Sequence, residues 1–323
     1  MNFTTGILSQ SHFVTKRSSG DKISCLVSVE EPRFIWPRPA IIRLGPASYH
    51  PSRSFPSEAT QKGMKYLVSR QYWKLLSYIL GKWPSFKDHE KIPHLVVSGV
   101  TGCGKSWTFA AATSFLRQNS LQSSYRVLLL GDCKSWAESH DPLYYFCMEL
   151  MLAIKNDSDS ELDLVKRRPI KSRDEIKPLL EHLDLWLIRR NLKIVVFIDQ
   201  VESLLGKPDI IPNAFIQYLI EMKCSLIIFG VTLDGPSERN FLASWGFQKL
   251  GFYQITFSHC IPQGDYNYLA DMYLEIPLSI QETGLLREVR LYTGGILGEL
   301  AKCFQYSHGN GSGIHDMISR IEY

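Results

Sequence analysis

Gly99-Val100-Thr101-Gly102-Cys103-Gly104-Lys105-Ser106 decides how this chain is read. Glycines at 99, 102 and 104 let successive backbone N–H groups turn toward one point. Where such a loop leaves a strand and opens a helix, the helix N-terminus adds its own donors and partial positive charge. The result is an anion cradle suited to phosphates. Lys105 is then placed to reach β- and γ-phosphates, and the Ser106 hydroxyl to ligate Mg²⁺. Val100, Thr101 and Cys103 supply the other backbone donors of the loop, and Trp107 begins the helix behind it. An ordinary glycine turn is the competing reading, and the flanking elements decide between the two.

Those flanks have the required pattern. Residues 94–98 read as a buried strand entering the loop, and Trp107, Phe109, Ala110, Ala111 and Phe115 supply a helix after it. Upstream, Val68, Tyr72, Leu75, Leu76 and Ile79 share one helical face, and Gly81 with Pro84 ends that helix. Downstream, strands and helices alternate: a strand at 125–130, then a helix from Asp141-Pro142 through Ile154 with Asp at the cap and Pro at the first turn. Leu179, Leu183, Trp186 and Leu187 line another helix. Residues 194–198 are wholly apolar and mostly β-branched, the mark of a central parallel strand covered on both faces. A helix at 215–221, a strand at 225–231 and a fifth strand at 253–257 follow. This alternation predicts an α/β fold, a parallel-sheet P-loop NTPase core. From Gly264 the pattern is only helical, broken at Pro277 and Gly294-Gly295, which predicts a small C-terminal helical subdomain. The expected division is a Pro/Arg-rich N-terminal arm over 1–60, the core over 61–260, and a helical lid and tail over 261–323. Six of the 16 prolines fall between Pro32 and Pro56, so the arm is read as extended, with one short strand at 23–29.

The second chemical element is Ile194-Val195-Val196-Phe197-Ile198-Asp199-Gln200. It sets Asp199 at the carboxyl end of a buried strand, the edge where α/β sheets bind ligands. An acid there can hold Mg²⁺ through the ion's water shell, so Ser106 and Asp199 are the expected metal residues. Many ATPases with an additional strand carry Glu directly after this Asp, to polarise the attacking water. Here Gln200 stands in that place, and an amide orients water without accepting its proton. Glu202, two residues on, is either its substitute or part of a surface turn. At the end of the 225–231 strand, Thr232 is placed to sense a γ-phosphate, and Arg239 in the following loop to reach one. Cys103 sits where a helix N-terminus lowers a thiol pKa, although a small residue filling a variable loop position explains it as well.

Composition excludes several classes. No apolar run approaches the ~20 residues that cross a bilayer, and the first ten residues lack the charged start and apolar stretch of a secretory signal. The seven cysteines are scattered, with no Cys-x-x-Cys spacing, so neither a disulfide framework nor a zinc site is indicated. An intracellular protein, of cytoplasm or nucleus, is expected, with no membrane partner. The net charge of +4 is too small to imply nucleic acid. The one basic cluster, Lys166, Arg167, Arg168, Lys171 and Arg173, reads as a solvated loop before a helix, with a nuclear-import or phosphate-contacting patch as the alternatives.

Taken together, the loop, the Asp199 strand, the Thr232 strand and the trailing helices resemble an ATPase core of the additional-strand class, near the AAA+ and STAND groups. Within it the chain is similar to crinkler and retrotransposon-hot-spot type ATPases over about residues 60–306, on Val68-Ser69-Arg70, Asp199-Gln200 with Leu204, and Thr293-Gly294-Gly295-Ile296. The resemblance implies ATP as the nucleotide and Arg70 as a nucleotide contact or lid brace. It also implies another strand between the loop strand and the Asp199 strand. The crinkler ubiquitin-like header is not recognisable in residues 1–60. Three functions follow: an ATPase that switches a lid or an assembly, a nucleotide-dependent interaction module that hydrolyses little, and a small-molecule P-loop kinase. A protein partner or self-assembly fits the first two. No Asn-Lys-x-Asp guanine signature is found.

Overall fold

Apolar residues on both sides of a strand need a layer on each face of the sheet, and the chain supplies both. The computed structural model describes residues 26–28, 41–44, 64–67, 70–82, 94–119, 124–154, 172–204, 210–232 and 252–257. The lid at 261–323, Arg239, Val68 and the basic cluster other than Arg173 lie outside them.

Strands β1 (Leu26–Ser28), β4 (His94–Gly99), β5 (Tyr125–Leu130), β6 (Lys193–Ile198), β7 (Ser225–Thr232) and β8 (Phe252–Thr256) form one sheet in the order β1-β8-β4-β7-β6-β5. Every pairing in it is parallel. A separate antiparallel pair joins β2 (Ile41–Leu44) to β3 (Met64–Leu67). The additional strand implied by the resemblance is β7, which lies between β4 and β6. The short strand expected at 23–29 is β1, at the sheet edge beyond β8.

Helix α1 (Arg70–Ser77) continues as one wide turn, Tyr78–Lys82, and buries Tyr72, Leu75, Leu76, Tyr78 and Ile79, the face read from the sequence with Tyr78 added. Helix α2 (Lys105–Asn119) follows the glycine loop. Both cover one face of the sheet, against Leu95, Val97, Val127, Leu129, Val195 and Phe197. The other face carries α3 (Cys133–Ala137), α4 (Pro142–Ile154), α5 (Ile176–Arg189) and α6 (Ile211–Glu221), packed on Leu128, Leu130, Val196, Ile198, Phe229 and Val231. Within one strand, Val195 and Phe197 face one layer while Val196 and Ile198 face the other, as a period of two requires.

This arrangement makes the site. The chain leaves β4 toward one face and leaves β5 and β6 toward the other. Their loops therefore part at the carboxyl ends of the strands, the edge where α/β sheets bind ligands.

Candidate functional site

The loop between β4 and α2 needs its glycines for stated reasons. Gly102 and Gly104 adopt φ of 79° and 96°, conformations that side chains rarely tolerate. Gly99 is needed for space, because a Cβ there would lie 2.7 Å from Cys103 Sγ and 2.9 Å from Phe257 Cβ. Thr101 is exposed at the tip, whereas Gly102, Cys103, Gly104, Ser106 and Trp107 are half-buried. Lys105 is buried; its Nζ donates to the carbonyls of Gly99 at 2.7 Å and Val100 at 2.9 Å. The ammonium is thus folded across the loop it is expected to serve. At Cys103 burial pushes the thiol up, and the Lys105 ammonium beside it only partly offsets this, which favours the small loop residue over a reactive thiolate.

Asp199 follows β6 and is 2% exposed. Register explains how it reaches the loop. A Cβ at Gly230, on the neighbouring β7, would lie 2.5 Å from Asp199 Oδ1 and 2.8 Å from Phe109 Cε2. The carboxylate therefore leans over a glycine of the intervening strand, toward β4. Oδ1 accepts the Gln200 N–H at 3.0 Å, and Oδ2 is buried with no hydrogen-bond partner. Burial pushes this carboxyl up from 3.8 to about 6; the Ser106 hydroxyl, the Lys105 ammonium and the Gln200 N–H act against the rise, and Glu202 adds to it. A buried carboxylate beside an aliphatic hydroxyl, next to the glycine loop, offers the hard oxygen donors that Mg²⁺ takes. The residues present fit that ion.

Around this centre the structure sorts the remaining candidates. Thr232 ends β7 directly opposite Gly99, at the loop's entry, and is half-buried. Gln200 adopts φ of 57°, a left-handed conformation uncommon for glutamine, and its carbonyl accepts Ser203 Oγ at 2.8 Å and Ser203 N at 3.1 Å. Glu202 lies on a short 3-10 turn (Val201–Leu204), half-buried rather than on open surface, with Oε2 buried and lacking a hydrogen-bond partner. Arg70 begins α1. Arg239 lies outside the described residues.

Asp132 and Cys133, just beyond β5, were not singled out in the sequence. Asp132 caps α3 by accepting Ser135 N at 2.9 Å and Ser135 Oγ at 2.7 Å. Cys133 is fully buried, and burial, then the charges of Asp199, Glu202 and Asp132, hold its thiol well above the ordinary range. An Asp three residues before a Ser, directly after an apolar run, was the available signal for the cap.

No protein-family model matches the sequence, and no curated protein matches it. Among solved structures the chain is similar to the Aeropyrum pernix ORC2 protein in ADPNP-ADP complexes, at 13% identity and a TM-score of 0.49, covering 77% of this chain and 66% of that one. It is similar to AMPPCP-bound DnaA from Aquifex aeolicus at 14% identity and a TM-score of 0.41, covering 76% and 63%. For Drosophila ORC bound to DNA the values are 14% and 0.43, covering 77% and 65%. The chain spans somewhat less than two thirds of each of these chains. Among the described residues, no helix is long and apolar enough to cross a membrane.

Proposed function

We propose that this chain binds Mg-ATP on the loop 99–106 and hydrolyses it slowly, using the nucleotide state to switch a lid or an assembly. The observation that carries this reading is the pairing of a glycine loop with a buried Asp199 carboxylate beside the Ser106 hydroxyl, at one edge of a parallel sheet.

In this reading the Lys105 ammonium exchanges the Gly99 and Val100 carbonyls for β- and γ-phosphate oxygens, where its charge is of most use. Backbone N–H groups of residues 100–106 hold the phosphates in one orientation. Ser106 and Asp199 would hold Mg²⁺, whose chemistry is to neutralise charge on the phosphate oxygens. Thr232, opposite Gly99, is assigned to sensing the γ-phosphate, and Arg70 and Arg239 to contacting nucleotide from outside the cradle. Within the additional-strand class, AAA+ or STAND-like, we place the chain nearest crinkler and retrotransposon-hot-spot ATPases on the Asp199-Gln200 and Thr293-Gly294-Gly295 segments. A protein partner or self-assembly and an intracellular setting, cytoplasm or nucleus, belong to the same reading.

A second reading, a nucleotide-dependent interaction module with little hydrolysis, is favoured by Gln200 in place of a carboxylate. Titration with labelled ATP and GTP, with and without Mg²⁺, tests the common premise. ATP binding strengthened by Mg²⁺ is expected, and absence of triphosphate binding would overturn both readings. Phosphate release then separates them.

A further inference from the structure

We propose that Glu202 is the carboxylate that takes the proton from the attacking water, in place of the acid missing at position 200. The inference rests on the Mg-ATP reading above. Five polar side chains follow the carboxyl ends of β5 and β6, and four have other employment. Gln200 is an amide, which orients water but accepts no proton. Its backbone is also committed: the N–H goes to Asp199 Oδ1, and the carbonyl is held twice by Ser203. Asp132 has both oxygens engaged by Ser135 in capping α3. Cys133 is a fully buried thiol kept protonated by burial and the surrounding carboxylates. Asp199 leans over Gly230 beside Ser106, in the place of the metal acid.

Glu202 differs from all four. Its Oε2 is shielded from solvent and lacks a hydrogen-bond partner, while its charge is felt at both Asp199 and Cys133. The turn that carries it is anchored by buried Val201 and Leu204 and packs against α3 and β7. β7 is the strand that ends in Thr232, opposite Gly99. The left-handed kink at Gln200 begins this turn, so the chain departs from the strand direction at the residue where a carboxylate is missing and supplies one two residues later.

The step balances with water and ATP alone. The water oxygen bonds to the γ-phosphorus as the bond from that phosphorus to the β,γ-bridging oxygen breaks. The electron pair leaves on ADP, and the water proton passes to the Glu202 carboxylate, which later returns it to solvent.

The experiment uses the full chain. ATP affinity with Mg²⁺ is measured first by calorimetry, then phosphate release under single-turnover conditions, where product release does not mask chemistry. Glu202→Gln is expected to bind ATP within about threefold of the parent and to hydrolyse it about 10²-fold more slowly, the usual worth of general-base assistance. Asp132→Asn should stay within about threefold of the parental rate, since that carboxylate is committed to capping α3. If Glu202→Gln does not fold, as judged by its thermal melt, Glu202→Asp replaces it; there the carboxylate is withdrawn by one methylene and a slowing of about tenfold or more is expected. A parental rate in the Glu202 variant, or a parental rate no faster than uncatalysed hydrolysis, overturns the proposal and leaves ATP binding standing. Failure of the parent to bind ATP refutes the earlier reading instead, and this one with it.

Discussion

Replacing Asp199 by asparagine is expected to make the nucleotide-free protein more stable and, by the same change, to remove its response to Mg-ATP. The carboxyl is pushed from 3.8 to about 6 mainly by burial, and one of its oxygens has no donor. The folded protein therefore holds this proton more tightly than the unfolded chain does. The resulting stabilisation is complete below about pH 4 and is lost as pH rises through about 6. At about 1.4 kcal/mol for each tenfold change in the ionisation constant, the ionised side chain carries on the order of 3 kcal/mol of instability at neutral pH. Asparagine keeps an acceptor for the Gln200 N–H and carries no charge to desolvate. Part of that instability should be recovered, a rise of roughly 5 °C in melting temperature for a domain of this size. Denaturation in EDTA at pH 5 and pH 8 reads both effects. The variant should gain at pH 8 and lack part of the parent's decline between the two. Adding ATP and Mg²⁺ at about 100 times the dissociation constant should then stabilise the parent by roughly 2.7 kcal/mol and the variant by much less. A variant less stable than the parent at pH 8, or with the same pH dependence, would show that Asp199 serves the fold and that its burial was misjudged.

Gly230→Ala should displace the Asp199 carboxylate and Phe109 together, lowering stability by about 1–3 kcal/mol and weakening the Mg²⁺ dependence of ATP binding in calorimetry. Thr232→Ala should leave ATP affinity near the parental value while slowing single-turnover hydrolysis, with equal rates counting against a sensing role. Arg117→Met should destabilise the core by about 2–3 kcal/mol, because Arg117 pairs with the largely buried Glu149 at 3.6 Å across α2 and α4. A paired Arg117→Met, Glu149→Leu protein should recover most of that loss, and chemical denaturation of the three variants measures the coupling.

The parts of the fold legible in the sequence were those with one dominant period. The run 125–130 was bounded correctly because every residue from Val127 to Leu130 is apolar and Gly131-Asp132 ends it. The β6 strand and its Asp199 were legible for the same reason. Helix α3 was missed because five residues are too few to show a period of 3.6, leaving only the Asp132 cap as a signal. The β2–β3 pair was missed because proline and arginine dominate its surroundings.

At the site, residue types were legible but relations across strands were not. Gly230 looks like an incidental glycine until register sets it beneath Asp199. The left-handed Gln200 was hidden because glutamine is not a residue that marks such a conformation. At Cys103 a sequence shows the helix terminus that lowers a thiol pKa and conceals the burial that raises it, so burial alone decides between the reactive thiolate and the small loop residue.

The account stands most directly on Lys105. Its ammonium makes the loop's only buried cation among the described residues and already holds two loop carbonyls. Calorimetric titration of ATP with Mg²⁺ into the parent and into Lys105→Ala measures what that charge does. The parent should bind, and the variant should bind about 10²-fold more weakly while melting as a folded protein, since a charge-assisted contact to phosphate contributes on the order of 2–3 kcal/mol. Equal affinity in the two proteins, or no binding by the parent, would contradict the assignment of this loop to a nucleotide.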